Sequence, residues 1–522
     1  MNRLLRAAGS ISALTLVSRI LGLVRDRLMA QAFGARWIQG TFLVAWMFPN
    51  LMRRLLGEGA LSAALVPAYT AARKRDPQAA RELLAQVLGN VTTILLPVCI
   101  VVAIVSLTLP AEWLPAPEKG GVEAMRLLLA LNAVLFAYAL PVCLCAVLSG
   151  AMNTLGMFAL PATVPVLLNV FWIAALLLAR PLGFSVDVEI ANFAAWWLSI
   201  GGLLQLLFLI VPMLRRSELL RPRLGLPRRG TPAFAVFVAM GPMVVGMSLN
   251  QISSLLDTLM AYYLVSSGAV TYIYLANRLL LFPHALTAMS LGVAAFPKLA
   301  LEATAADRGP VRRTLDQFAG HTIVVTLPAS VGLMLLADDV VRVLFVGGEF
   351  VAGDVWPTVL TVSCLVAGLP FLGLAQLYAR AFYAVGDVRT PARLAACLVA
   401  LNALLNLALL WLTPLGTAGL ALASSLSSLT NAAILARRFR RHVPSAANAH
   451  LAATWIRSLI ATAVMSIVVV SLRTATAEAT HWQLAWRNLV IPILGGMAAY
   501  AATHWLLGSR ELASLRRGGR GH

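Results

Sequence analysis

The residues of this chain that could do chemistry are arginines placed inside apolar segments. Five of them fall in the first two segments: Arg19, Arg25, Arg27, Arg53 and Arg54. A charged side chain at the centre of a bilayer costs about 2.5–3.5 kcal/mol on insertion scales. A chain that keeps several at this depth is expected to turn them toward a polar cavity. Arginine stays protonated and offers a planar fork of N–H donors, so the predicted chemistry is recognition of phosphate or carboxylate.

Few acidic residues accompany these arginines. The residues at membrane depth are eight arginines, completed by Arg126, Arg278 and Arg380, and three acids, Asp26, Glu58 and Asp257. A cation exporter would need an acidic cavity, and a proton-coupled site would more often use Asp, Glu or His. The excess of arginine predicts an anionic ligand.

Local sequence around Arg53 and Arg54 predicts that they face inward. Pro49 removes a helical hydrogen bond and kinks the second segment, and the glycines that flank Glu58 loosen the next turn. The alternative is that the two arginines snorkel to the interface. Arg19 and Arg25 are six residues apart, which is about 120° around a helix, so together they would line a broad cavity.

The other charged residues at this depth have competing interpretations. Arg278 is the predicted counterpart of the second-segment arginines, with Asp257 as its counter-ion; the alternative is a buried ion pair that joins two helices. Arg27 either pairs with Asp26 or reaches the outer interface. Arg126 and Arg380 lie near segment ends, where snorkelling is favoured.

Signatures of catalysis are missing from the sequence. The seven histidines form no HExxH motif and no triad spacing, and no GxxxxGK[ST] loop is present. The five cysteines fall in apolar runs without zinc-site spacing and are predicted to be small buried hydrophobes. We therefore expect no catalytic residue, no metal and no cofactor, and the chain is not expected to be an enzyme.

The elements that position the arginines are predicted to be membrane helices. Of 522 residues, 60% are hydrophobic and 12% charged, and the mean hydropathy is +0.83. Runs of about 20 apolar residues recur. The sequence predicts an all-α polytopic membrane protein with about fourteen transmembrane helices, here numbered as predicted helices. Their approximate ends are 8–33, 37–69, 83–109, 124–150, 158–179, 190–213, 234–264, 271–297, 314–337, 356–384, 392–412, 416–436, 458–472 and 488–507.

The distribution of basic residues predicts the orientation. With the N-terminus in the cytoplasm, 27 of the 41 basic residues lie on the cytoplasmic side and 6 on the other, which leaves the 8 at membrane depth. By the positive-inside rule, both termini are cytoplasmic. The net charge of +20 is then explained without nucleic acid.

An internal repeat divides the chain. Asp26-Arg27-Leu28-Met29-Ala30 recurs as Asp257-Thr258-Leu259-Met260-Ala261, and two further matches follow at nearly the same offset. The pattern predicts two pseudo-repeated six-helix lobes around a central site, a common transporter plan. The predicted domains are an N-terminal lobe (1–217), a C-terminal lobe (231–441), two added helices (453–508) and a basic cytoplasmic tail (509–522).

Four stretches resemble the MurJ (MviN) family of lipid II flippases. They are SRILGLVRD, FPNLMRRLLGEGALSAALVPAY, ANRLLLFP and AFYAVGDVRTP. The resemblance implies the multidrug/oligosaccharidyl-lipid/polysaccharide exporter fold, with a central cationic cavity and a groove for the lipid tail on the two added helices. It implies that functional residues include Arg19, Arg25, Arg53, Arg278 and Glu58. Arg54 is expected to support binding, with Asp26, Asp257 and Asn277 as gating or counter-ion residues.

Three positions depart from the family pattern: Gly40, Asn277 and Leu281 stand where an acid is common. The expected function is translocation of lipid II across the bacterial cytoplasmic (inner) membrane by alternating access, with coupling to the membrane potential or to an ion. A different polyprenyl-pyrophosphate-linked saccharide, or a non-transporting scaffold for cell-wall synthesis, is the alternative. The expected partners are lipid II, membrane lipids and cell-wall synthesis proteins, with no nucleic acid, and the chain is expected to be a monomer.

Overall fold

The computed structural model describes residues 2–55, 61–285, 290–305, 309–443, 448–475 and 482–509. Its regular elements within these ranges are helices, as expected for an all-α membrane protein. The chain divides into two compact units. The first comprises Met1–Thr271 with Gly348–Phe350, and the second comprises Tyr272–Gly347 with Val351–His522.

The first unit is built from helices α1 to α9. Their bounds are α1 Asn2–Phe33, α2 Trp37–Met52, α3 Leu61–Arg75, α4 Pro77–Thr108, α5 Gly121–Leu135, α6 Ala139–Thr154, α7 Ala159–Ala179, α8 Asp187–Arg215 and α9 Pro232–Met260. Short 3₁₀ turns cover Ala111–Trp113 and Phe136–Tyr138, and a π turn over Ala261–Val265 extends α9. Asp76 begins α4 by accepting hydrogen bonds from two backbone N–H groups, as a good N-cap does.

The remaining helices run to the end of the described chain. Their bounds are α10 Ala269–His284, α11 Ser290–Ala303, α12 Gly309–Phe345, α13 Ala352–Val366, α14 Leu369–Ala384, α15 Arg389–Leu412, α16 Thr417–His442, α17 Asn448–Ala475 and α18 Trp482–Leu506. The added helices α17 and α18 pack on α12. The Tyr500 hydroxyl donates to the Val324 carbonyl at 2.7 Å, and Arg473 bonds Asp339 at 2.7 Å, so α12 is attached to both added helices.

The helix pattern bears out the predicted repeat. In the first unit α3 packs on α4 and α6, α4 on α5 and α6, and α8 on α5, α6 and α7. In the second unit α11 packs on α12 and α14, α12 on α13 and α14, and α16 on α13, α14 and α15. Each contact of the first set has its counterpart in the second when eight is added to the helix number. Two sequences that fold into the same set of partners are expected of a duplicated transporter half.

Two predicted helices each cover two described helices. The second, expected over 37–69, covers α2, a π turn at residues 53–55 and α3 from Leu61. The eighth, expected over 271–297, covers α10 and α11. Ten segments of the described chain are long and apolar enough to cross a membrane; the count of fourteen stays a prediction, as do the cytoplasmic termini and the domain boundaries.

The cysteine prediction is only partly right. Cys99, Cys143 and Cys145 are buried, whereas Cys364 is half-buried and Cys397 is exposed. The apolar run around Cys397 belongs to α15, whose exposed residues include Leu404 and Trp411. A helix of this kind exposes one face to lipid, and apolar sequence alone does not tell that face from the packed one.

A strap, defined here as residues 218–225, crosses the start of α4. Arg73 donates to both carboxylate oxygens of Glu218, at 2.8 and 2.9 Å. The Arg223 N–H donates to the Ala85 carbonyl at 3.0 Å. Gly89 lies directly beneath the Arg223 backbone, which a side chain there would displace. The segment after α8 is thereby fixed to α3 and α4.

Glu218→Gln is expected to destabilise the chain by about 1.5 kcal/mol or more at neutral pH, because the charge-assisted bond to Arg73 is lost. The hydrogen bond from Arg73 lowers the pKa of Glu218. The stabilisation that Glu218 provides is therefore complete above the pKa that its carboxyl group has in the unfolded chain. It is lost as the pH falls through the lower pKa of the folded chain. Melting temperatures of the two proteins in detergent should converge on acidification. A Glu82→Gln control, at an exposed 3.7 Å ion pair, should stay close to the natural chain throughout; an unchanging gap for Glu218→Gln would contradict the linkage.

Candidate functional site

Arg25 is held by three neighbours in the first unit. Its Nε and Nη2 donate to Asp26 Oδ1 at 3.0 and 2.7 Å, and Nη1 donates to Asn169 Oδ1 at 3.1 Å. Its guanidinium lies 4.5 Å from the centre of the Trp172 ring. The Arg25 side chain is 11% exposed and that of Asp26 is 0% exposed. The charge predicted to face a cavity is thus neutralised and mostly buried in this conformation.

Helix α7 positions this arginine. It packs along α1, and Asn169 and Trp172 stand about one turn apart on it, so both reach the same stretch of α1. Asn169 Nδ2 donates to the Ser18 carbonyl at 2.9 Å, and Trp172 Nε1 donates to Met29 Sδ at 3.2 Å. Sequence reasoning missed both residues, although an asparagine within an apolar helix is a signal for a buried hydrogen bond.

An aromatic layer, defined here as Phe42, Trp46, Tyr138 and Trp172, lies beneath Arg25. Ring centroids are 4.8 Å apart for Trp46 and Trp172, 5.2 Å for Trp46 and Tyr138, and 5.7 Å for Phe42 and Trp172. All four side chains are buried, so the layer is a rigid support and not a free stacking surface.

Arg53 stands at the end of α2, two helical turns after Trp46 and on nearly the same face. Its Nε and Nη2 donate to Asn50 Oδ1 at 3.1 and 3.0 Å. A π turn begins at Arg53, and such turns often mark functional sites. The inward bend predicted from Pro49 and the two glycines stays a prediction, and the described residues show a change from α to π geometry at the predicted arginines. Arg54 is exposed, and its Nη1 donates to Gln251 Oε1 at 3.4 Å.

The other predicted residues of the first unit take different places. Arg19 and Arg27 are exposed, and Asp26 is bonded to Arg25; the choice for Arg27 between Asp26 and the outer interface stays open. Arg126 is exposed and donates to Glu112 at 2.7 Å, as its position near a helix end favours. Asp257 is half-buried on α9. Glu58 lies outside the described residues.

Arg278 belongs to the second unit. It is half-buried, whereas Asn277 is exposed and donates to the Ile273 carbonyl at 3.0 Å. Arg380 was expected to snorkel but is half-buried, with its guanidinium against Gly292, where a larger residue would require the Arg380 side chain to move. Since Asp257 and Arg278 fall in different units, their pairing stays a prediction.

What the described site can do is hold an anion. Arginine donors are fixed by amide and aromatic neighbours, and such fixed forks favour phosphate or carboxylate. Within the described ranges, no group of three or more His, Cys, Asp or Glu residues could hold a metal ion.

The chain is similar to known proteins along most of its length. Residues 29–489 match the family model for the lipid II flippase MurJ. The chain is 31% identical to a probable lipid II flippase MurJ of Vibrio cholerae over 97% of both chains. It is 32% identical to the lipid II flippase MurJ of Burkholderia cenocepacia over 83% of both.

Solved structures share the fold. A lipid II flippase MurJ in an inward-closed conformation superposes with a TM-score of 0.75 at 23% identity, covering 95% of this chain and 98% of the other. An inward-facing multidrug transporter of the MATE family gives 0.65 at 14% identity, covering 82% and 94%. The fold is that of these transporters, and the chain is a multi-pass protein of the bacterial inner membrane. By its sequence match along most of its length, the chain belongs to the MurJ family of lipid II flippases.

Proposed function

We propose that this chain translocates lipid II from the inner to the outer leaflet of the cytoplasmic membrane by alternating access. Membership of the family supports the translocation of lipid II, and the arginines of the first unit support an anionic ligand. The observation that carries the proposal is the position of Arg53 directly after α2, at the start of a π turn, with its guanidinium fork oriented by Asn50. A pyrophosphate is the part of lipid II that such a fork would bind.

The proposed binding set is Arg25, Arg53 and Arg278, with Arg19 and Arg54 in support. Arg25 would contribute only if the pyrophosphate displaced Asp26 or Asn169 from its donors, because these occupy it in this conformation. Arg19 and Arg54 are exposed, and Arg54 would exchange its long bond to Gln251 for the ligand. The sugar–peptide headgroup would occupy the polar interior while the polyprenyl tail stays in lipid along α17 and α18.

No covalent step is part of this proposal, and translocation needs only a change of conformation. A membrane potential that is negative inside would drive the empty positive carrier back inward, since each charge crossing the full field gains about 2.3 kcal/mol per 100 mV. Collapse of the potential at constant pH should therefore slow translocation.

Outward exposure of lipid II tests the function. Cells depleted of their own flippase would receive the natural chain, Arg53→Ala or Arg126→Ala. We expect the natural chain and Arg126→Ala to restore exposure, because Arg126 is bonded to Glu112 away from the site. Arg53→Ala should lower exposure about tenfold or more, as loss of a charge-assisted contact implies. Equal exposure by all three proteins, or none by a well-expressed natural chain, would overturn the proposal.

A further inference from the structure

Four glycines of the first unit bring separate parts of the chain into backbone contact. They are Gly34 between α1 and α2, Gly40 in the first turn of α2, Gly268 just before α10, and Gly348. A Cβ at any of them would overlap a backbone carbonyl: Glu349 for Gly34, Ser267 for Gly40, Ala35 for Gly268 and Gln31 for Gly348. We call these glycines and the carbonyls they meet the glycine latch.

Two of these positions also need glycine for their backbone. Gly34 has φ 61° and Gly348 has φ 56°, a region that side chains disfavour. Gly40 and Gly268 have no such requirement, and there only the close approach excludes a side chain. Contact between the segments, rather than turn geometry, therefore explains glycine at these two positions.

Few bonds hold the latch together. The Glu349 N–H donates to the Gln31 carbonyl at 2.9 Å, and Arg36 pairs with Glu349 where both side chains are partly exposed. Inside, the hydroxyls of Thr41 and Tyr262 are bonded at 2.8 Å. The glycine contacts themselves are between backbone atoms, and the neighbouring side chains of Phe33 and Phe350 are fully buried.

A π turn adjoins the latch. It covers Ala261–Val265, contains Tyr262, and ends directly before Ser266. Interruptions of this kind within a helix are frequent at moving or functional sites. The latch also lies on the side of the membrane that the distribution of basic residues assigns to the outside. Arg36 and Lys119 belong to the small outer set of basic residues, and Ser267 Oγ donates to the Lys119 carbonyl at 2.7 Å.

We infer that the glycine latch is the outer closure of the transporter and must separate in each cycle. This inference rests on the proposed function, because a carrier that releases lipid II outside has to open its outer end. Close approach of the backbone at the four glycines allows a tight seal. A methyl group at residue 40 would keep the seal from forming.

Hydrogen exchange of the full chain in lipid nanodiscs tests the closure without any substrate. Gly40→Ala should accelerate exchange in peptides covering 31–41 and 346–352 by about tenfold or more. Gly241→Ala is the matched control, because Gly241 lies inside α9 with nothing within 4 Å of its added Cβ. Exchange in Gly40→Ala no faster than in the control, or accelerated evenly over α4 to α8, would overturn the inference.

Two milder variants test the latch if Gly40→Ala does not fold. Tyr262→Phe removes only the buried hydroxyl bonded to Thr41 and should accelerate exchange in 31–41. Tyr263→Phe, at the partly exposed neighbour, should not. Equal exchange in these two variants would contradict the latch.

Locking the latch separates this inference from the proposed function. Arg36→Cys with Glu349→Cys, in a Cys397→Ser chain that lacks the exposed natural thiol, would be joined by a reductant-cleavable bismaleimide. Lipid II exposure should cease on joining and return on cleavage; a joined chain that still transports would overturn the latch. If the unjoined natural chain transports nothing, the proposed function fails, while the exchange experiment still decides whether the closure exists.

Discussion

Arg25→Ala is expected to destabilise the chain by about 3–5 kcal/mol as well as stop transport, because it removes the guanidinium from the buried carboxylate of Asp26. The loss would appear as a fall in melting temperature in detergent and as a lower yield of folded protein. Transport lost by this variant alone could therefore reflect misfolding as well as failure to bind pyrophosphate.

A double replacement separates the two causes. Arg25→Ala with Asp26→Asn removes both charges, so that no ion is left buried, and should recover most of the melting temperature. If Arg25 takes part in binding, the recovered protein should still fail to expose lipid II. Restoration of both stability and exposure would show that the Arg25–Asp26 pair is only structural, and the binding set would then shift to the exposed Arg19 and to Arg53.

The helix content and the arginine-rich site could be predicted from local sequence. Apolar runs of membrane-spanning length predict helices because the bilayer requires internal backbone hydrogen bonds. Pro49 and the nearby glycines predicted an irregular second segment, and α2 changes to a π turn at Arg53. These features are determined by residues that are close in sequence, so they can be predicted from one sequence alone.

The surroundings of Arg25 could not be predicted in the same way. Its partners Asn169 and Trp172 lie more than 140 residues along the chain, and an apolar helix such as α7 does not state which face meets α1. The local acid Asp26 could be assigned to either neighbouring arginine, and only packing decides for Arg25. Burial of the pair was unexpected, since a charge at membrane depth suggested a cavity.

Gly40 shows how a departure from a family pattern acquires a physical reason. From the sequence it was a missing acid that would make the cavity more positive. In the structure its Cα faces the Ser267 carbonyl, and an aspartate would overlap that backbone. The change therefore concerns the approach of two chain segments, which no residue count or charge balance could have indicated.

Arg53→Lys is expected to lower lipid II exposure about tenfold although it keeps the positive charge. Arg53 directs two nitrogens of its fork at Asn50 Oδ1, which orients the plane of the guanidinium. Lysine has no such plane and binds phosphate as a point charge, so a site that depends on two parallel donors loses both geometry and bond strength.

The adjacent residue supplies the matched control. Arg54 is exposed and its bond to Gln251 is long, at 3.4 Å, so Arg54→Lys should keep nearly full exposure of lipid II. Both variants conserve net charge and lie in the same π turn, which leaves donor geometry as the difference between them. Equal activity of the two lysine variants would show that Arg53 acts through charge alone, and recognition of the pyrophosphate would then be a property of the cavity's field. A selective loss in Arg53→Lys would instead identify the end of α2 as the place where the phosphate is bound.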